Sequence, residues 1–137
     1  MRKYLYLFFC LLLVSCILDP EDENTRIEKI SAFEIQVPDT MTVGFEHEIS
    51  FKYALQNGCY SFYNVDVTDA VQANKNIREI TAYAEITNDT SCTEEYRVEV
   101  FILPFRPMES RIYLFKFWAG QNEQGVDQFE EYEILVQ

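Results

Sequence analysis

The sequence is poor in the residues that most protein chemistry needs. Its 137 residues include one histidine, four glycines, four prolines and one tryptophan. With His47 as the sole imidazole, a zinc site has no second histidine, and a Ser-His-Asp or Cys-His arrangement has one candidate base. His47 opens an alternating segment in Phe45-Glu46-His47-Glu48, where an exposed edge position is expected. Four glycines leave no material for a phosphate-cradling loop. Positive charge is also scarce, with 11 Lys and Arg against 23 Asp and Glu. A body this acidic is repelled by phosphate backbones, which excludes a nucleic-acid role. Catalytic residues, metals and cofactors are therefore not expected. Carboxylates abound, but glycosidase chemistry needs a pair held about 5–10 Å apart in a cleft, which a small sandwich rarely supplies. Residues 121–127 put hard oxygen ligands around Gly125 without the Asp-x-Asp-x-Asp spacing of a calcium loop, so they read as a polar hairpin loop.

What the chain does have begins at its first residues. Arg2 and Lys3 precede an uncharged, almost wholly apolar run over residues 4–14. That run is too short for a membrane helix of roughly 20 residues and matches a secretory apolar region of about 7–15. Leu13-Val14-Ser15-Cys16 follows it: a large aliphatic, a β-branched residue, a small residue and a cysteine. These residues resemble the lipobox of bacterial lipoproteins. The resemblance implies cleavage between Ser15 and Cys16 and lipid on the Cys16 sulfur. Cys10 is a poorer candidate, because Phe9 stands where a small residue is wanted. The expected organisation is a signal peptide over residues 1–15, an acidic tether over 16–26 and one β domain over 27–137. Removing Arg2 and Lys3 leaves nine cations against 23 acids, near −14. Such a body resists lying on anionic lipid, so the acyl chains must anchor it.

The tether, rich in Asp19, Glu21, Asp22 and Glu23, resembles the acidic export stretch after the lipid cysteine of many Bacteroidota lipoproteins. A solvated linker accounts for it equally. The leader, lipobox and tether together resemble those of small Bacteroidota lipoproteins, which implies a cell-envelope location, outer-membrane anchoring and surface display. Asp39-Thr40-Met41 resembles the O-glycosylation sequon of that group, with Thr40 as acceptor. Once Cys10 has left with the leader and Cys16 carries lipid, Cys59 and Cys92 remain. In an oxidising compartment they read as one disulfide, with two free buried thiols as the other reading.

From Ile27 onward the apolar pattern has period two, so strands are expected. Phe33, Ile35 and Val37 form one strand, and Ile49, Phe51, Tyr53 and Leu55 a second. Asn57-Gly58 then predicts a hairpin into a third strand over residues 59–67, followed by a loop over 68–76. Further strands are marked by Ile80 to Ile86, by Tyr96, Val98, Val100 and Ile102, by residues 111–119 and by Tyr132, Ile134 and Val136. Glu95, Arg97 and Glu99 form the polar face of the strand after Cys92. Residues 111–119 are apolar at nearly every position, as in a central strand covered on both sides. About seven strands predict an all-β, antiparallel two-sheet sandwich of immunoglobulin-like type, with an up-and-down barrel as the rival.

Aromatics make up 15% of the chain, more than one core face requires. Tyr60, Tyr63, Tyr113 and Trp118 are the candidate ligand-contacting rings. Phe117 and Trp118 are adjacent in a strand and cannot enter the same core face. Burial on a second face competes with a binding platform as the reason for the extra rings. The expected function is a lipid-anchored, non-catalytic binding or accessory module for a glycan or protein. The alternatives are a structural or assembly subunit of a membrane complex, or a protease-inhibitor-like module working through residues 105–110 or 121–127.

Overall fold

The computed structural model describes residues 24–137, so the leader and the Ser15 and Cys16 assignments lie outside the described residues. Eight strands follow in order: β1 (Thr25–Ile30), β2 (Phe33–Gln36), β3 (His47–Leu55), β4 (Tyr60–Gln72), β5 (Lys75–Thr87), β6 (Arg97–Phe105), β7 (Ile112–Gln121) and β8 (Asp127–Leu135). They form a five-stranded and a three-stranded sheet, so the described residues make an all-β sandwich. The count exceeds the expected seven because β1 begins at Thr25, inside the stretch read as tether.

Long β5 organises the larger sheet. One side pairs along its length with β4, and the other is shared between two strands. Lys75 to Ile80 run parallel to β7, and Ala82 to Thr87 run antiparallel to β1. The parallel pair departs from the wholly antiparallel expectation. β8 closes this sheet beside β7, and β2, β3 and β6 form the smaller one.

The core lies between the sheets. Phe51 of β3 meets Phe117 of β7 edge-on at 5.7 Å, and Phe105 of β6 meets Phe115 of β7 at 5.2 Å. Ile49, Phe51, Leu55, Phe115, Phe117 and Val136 are essentially inaccessible. These are the alternating positions of the sequence pattern, and each large side chain contributes about 1.5–3 kcal/mol by leaving water.

Three local expectations are corrected. Asn57-Gly58 makes a turn, with the Tyr60 amide bonded to the Asn57 carbonyl at 3.1 Å, but not a hairpin. β3 pairs with β2 and β6, whereas β4 pairs with β5, so the turn carries the chain from one sheet to the other. Gly58 is needed for close approach: a Cβ there would lie 2.1 Å from Thr93 Oγ1. Residues 68–76 are not a loop, because β4 and β5 continue to a two-residue turn at Ala73-Asn74. Ala73 takes a left-handed φ of 53° there without the usual glycine.

The third correction concerns β6, whose faces are reversed. Phe101, Leu103 and Phe105 turn inward, while Val98, Val100 and Ile102 turn outward. Both sets are apolar, so the pattern admits two phases, and the structure takes the one that buries two phenylalanines. Phe101 packs against Phe51 at 5.5 Å and Phe62 at 5.6 Å. The same phase carries Arg97 and Glu99 to the inner side at one end of the sandwich. There the Tyr53 hydroxyl donates to Glu99 at 2.7 Å and Arg97 donates to the Tyr60 carbonyl at 3.0 Å. Burial first, and then the bond to Glu99, raise the Tyr53 phenol well above its ordinary range.

Cys59 and Cys92 are joined by a disulfide with Cα atoms 5.3 Å apart. The bridge fastens the β3–β4 crossover to the segment that leads into β6. Closing a loop of sequence separation 33 stabilises the fold by up to roughly 3–4 kcal/mol in the chain-entropy account.

The reversed phase of β6 has a direct mutational signature. Phe101→Ala is expected to cost about 3 kcal/mol, whereas Val100→Thr, at an exposed position, stays within about 0.5 kcal/mol. Urea denaturation of both variants checks this, and the opposite ranking would restore the phase read from the sequence.

Candidate functional site

The largest concentration of usable chemistry lies at one end of the sandwich. There the distal half of β4, the start of β5 and the connection from β6 to β7 surround a groove of about 300 Å³. Arg78, Arg106 and Arg111 line it, together with Asp69, Asn76, Phe105, Glu109 and Tyr113. Three of the nine cations among the described residues thus converge on one groove in a strongly acidic protein.

The three arginines are held differently. Arg78, on β5, packs its guanidinium over the Phe105 ring at 4.5 Å and grips Asp69 through Nε at 3.0 Å and Nη2 at 3.2 Å. A two-point grip of that kind is geometrically specific, so Arg78 is a fixed wall. Arg111 is looser, with Nε 3.5 Å from Glu109 and Nη1 donating to Asn76 at 3.3 Å. Arg106 is the freest: its side chain is 58% exposed and lies 4.0 Å from Glu46. Exposed pairs at such distances are weak, about 0–1 kcal/mol, so an incoming anion can displace them. The groove can therefore hold a carboxylate or other anion between Arg106 and Arg111, against a guanidinium-capped aromatic wall.

The four aromatics chosen from the sequence are dispersed. Tyr113 is 5% exposed and forms part of the groove wall, edge-on to Phe105 at 5.3 Å. Tyr60 is half-buried against the core, and Tyr63 is exposed at the irregularity between Phe62 and Asn64. Trp118 is buried outside the central cluster, with the Lys29 ammonium 5.4 Å from its ring. Trp118 is thus withdrawn from solvent into the fold, whereas Tyr113 meets solvent only along the groove wall. Both sit on β7, an inner strand whose side chains are consumed by the core and by β1. Exposed Phe45, Tyr63 and Tyr96 are separate positions of the surface.

Other candidates find structural roles. His47 lies on the middle strand of its sheet, half-buried rather than at an exposed edge, and accepts the Thr42 amide at 3.0 Å. In the loop after β7, Asn122 Oδ1 accepts the amides of Gln124 and Val126 at 3.0 and 2.9 Å. Residues 105–110 are pinned by buried Pro107, whose carbonyl accepts the Gly44 amide at 2.8 Å. Thr40 is exposed between β2 and β3. Among the described residues, no three His, Cys, Asp or Glu side chains cluster to hold a metal.

The best-defined ion pair joins β1 to β8: Lys29 Nζ donates to Asp127 Oδ2 at 2.9 Å, and Gln121 donates to the other oxygen at 2.9 Å. These contacts, Lys29 first, lower the Asp127 carboxyl to about 2, helped by the nearby Trp118 indole N–H, which is buried and reaches no partner in hydrogen-bond geometry. The same pairing raises Lys29 above its ordinary value.

The arginines of the groove were invisible as a site in the sequence. They lie at positions 78, 106 and 111, on segments that only the β5–β7 pairing brings together. Comparison of the chain with protein-family models, with curated proteins and with solved structures found no match.

Because Asp127 is depressed in the folded state, its contribution is present above the unfolded carboxyl value of about 3.9 and is lost as pH falls through about 2. Asp127→Asn is therefore expected to lower stability above about pH 4 and to flatten the acid limb of the stability–pH curve between about pH 4 and 2, and the deficit should shrink only as pH rises past the raised folded-state value of Lys29. Thermal melts across that range provide the measurement.

Proposed function

We propose that the chain is a lipid-anchored protein of the bacterial cell envelope whose body is a non-catalytic binding module of immunoglobulin-like type. Its ligand is acidic, a glycan bearing carboxylates or a protein segment rich in them, and it sits in the arginine groove. The observation that carries this reading is the convergence of Arg78, Arg106 and Arg111 on one groove in a protein with formal charge −12. Elsewhere the surface repels anions, so the groove is where an acidic ligand is both attracted and positioned. Arg106 and Arg111 supply the exchangeable contacts, and Arg78 with Phe105 and Tyr113 supplies the rigid wall. The order of charge, apolar run, small residue and Cys16 supports the anchor, and the disulfide fits an oxidising compartment beyond the inner membrane. A second reading, as an assembly subunit, is favoured by the open edge of β6 and its outward apolar row.

Titrating the purified full chain in detergent with polygalacturonate tests the ligand class. Saturable binding is expected, and Arg106→Glu with Arg111→Glu should weaken it at least about tenfold, since two charge-assisted contacts are lost, with circular dichroism unchanged. Binding that is indifferent to this reversal overturns the groove.

The anchor is tested separately by fractionation. Cys16→Ala should leave the membrane fraction, and a variant that stays there disproves the lipid attachment.

A further inference from the structure

From the phase of β6 we infer that this strand is a self-recognition edge: two copies of the chain pair β6 against β6, antiparallel, with Val100 opposite Val100. The inference is independent of the arginine groove and of the lipid anchor.

Within the described residues β6 pairs with β3 alone, and no other backbone hydrogen bond reaches Val98, Val100 or Ile102. Pro104 sits opposite Glu48 in that ladder. Having no N–H, it occupies a position whose amide would point away from β3. Strand alternation then directs the N–H and C=O groups of Val98, Val100 and Ile102 to the open edge. The other edge of the sheet is closed to such pairing: β2 is four residues long, with Glu34 at a φ of 45° and a shifted register. The edge of β6 has no such bulge. Its outward side chains are apolar from Tyr96 through Val98, Val100 and Ile102 to Pro104, with Val100 57% and Ile102 54% exposed.

The charges on β6 choose both the partner and the register. Val100 facing its own copy places Val98 opposite Ile102 and Tyr96 opposite Pro104, so every outward pair is apolar. On the inner side Arg97 falls opposite Leu103 and Glu99 opposite Phe101, so no like charges meet. Sliding by one pair in one direction sets Glu99 against Glu99, which opposes like charges directly. Sliding the other way sets Pro104 against Val98 and loses an amide at each end. One register therefore satisfies the edge, and it is its own complement, as a two-fold interface requires.

The test is disulfide trapping with the purified full chain in detergent, read against the unsubstituted protein. In the inferred register the two Val100 Cα atoms lie about 5.5 Å apart, inside the range a disulfide spans. Val98 and its counterpart are offset by four residues along the strands, about 14 Å. Val100→Cys should give covalent dimer under mild oxidation at least about tenfold faster than Val98→Cys or Ile102→Cys alone, because only the first pair lies within bridging distance. A mixture of Val98→Cys and Ile102→Cys should trap the mixed dimer. Val100→Glu, at an exposed position, should give a monomer in sedimentation equilibrium where the unsubstituted chain is dimeric, with its fold intact by circular dichroism. Equal trapping at 98 and 100, an unsubstituted chain that sediments as a monomer, or an unchanged mass for Val100→Glu each overturns the inference.

Discussion

The arrangement of β6 depends on how Arg97 and Glu99 are accommodated. An inward charge is normally excluded from a sandwich, yet here the two residues lie where the sheets open. They are met by the Tyr53 hydroxyl and the Tyr60 carbonyl while both side chains remain about 40% exposed. Because those partners exist, β6 can take the phase that buries Phe101, Leu103 and Phe105. That gain of aromatic burial exceeds what Val98, Val100 and Ile102 would have contributed. The surface character of the smaller sheet thus follows from one hydroxyl and one backbone carbonyl in the right place.

Much of this architecture could be read from the chain. β3 and β5 carry their buried apolar residues at alternate positions, so each has one admissible phase, and β7 is legible by its nearly continuous apolar run. Counting cysteines identified the Cys59–Cys92 pair. β6 could not be read because two apolar phases overlap in one segment, and only partners distant in sequence decide between them. The turn at Ala73-Asn74 was missed because alanine rarely adopts a positive φ; the long β4–β5 ladder imposes it. Asn57-Gly58 was recognised as a turn but assigned the wrong destination, since turn chemistry is local and sheet partnership is not. The groove was hidden for a similar reason. Its arginines are scattered along the sequence and meet through a parallel pairing that periodicity does not encode.

The distribution of charge separates two kinds of surface. Several cations are held by carboxylates across a sheet, as Lys116 is by Glu131 on the next strand and Lys75 by Glu133 two strands away. Arg106 and Arg111 are the loosely held ones, and both border the groove. The acidic remainder keeps anions away from the rest of the body. An anion therefore meets repulsion over most of this body and loosely held cations at the groove.

The burial of Trp118 gives the molecule a built-in optical gauge. It is the chain's single indole, and it lies where β1 and β7 abut along β5, beneath Lys29 and with its backbone carbonyl accepting the Ala32 amide at 3.0 Å. Peeling of β1 would wet the ring and redden its emission while the aromatic cluster between the sheets stayed dry. Intrinsic fluorescence thus reports the docking of the chain's first described strand apart from global unfolding, a distinction that far-ultraviolet signals, summed over all eight strands, cannot make.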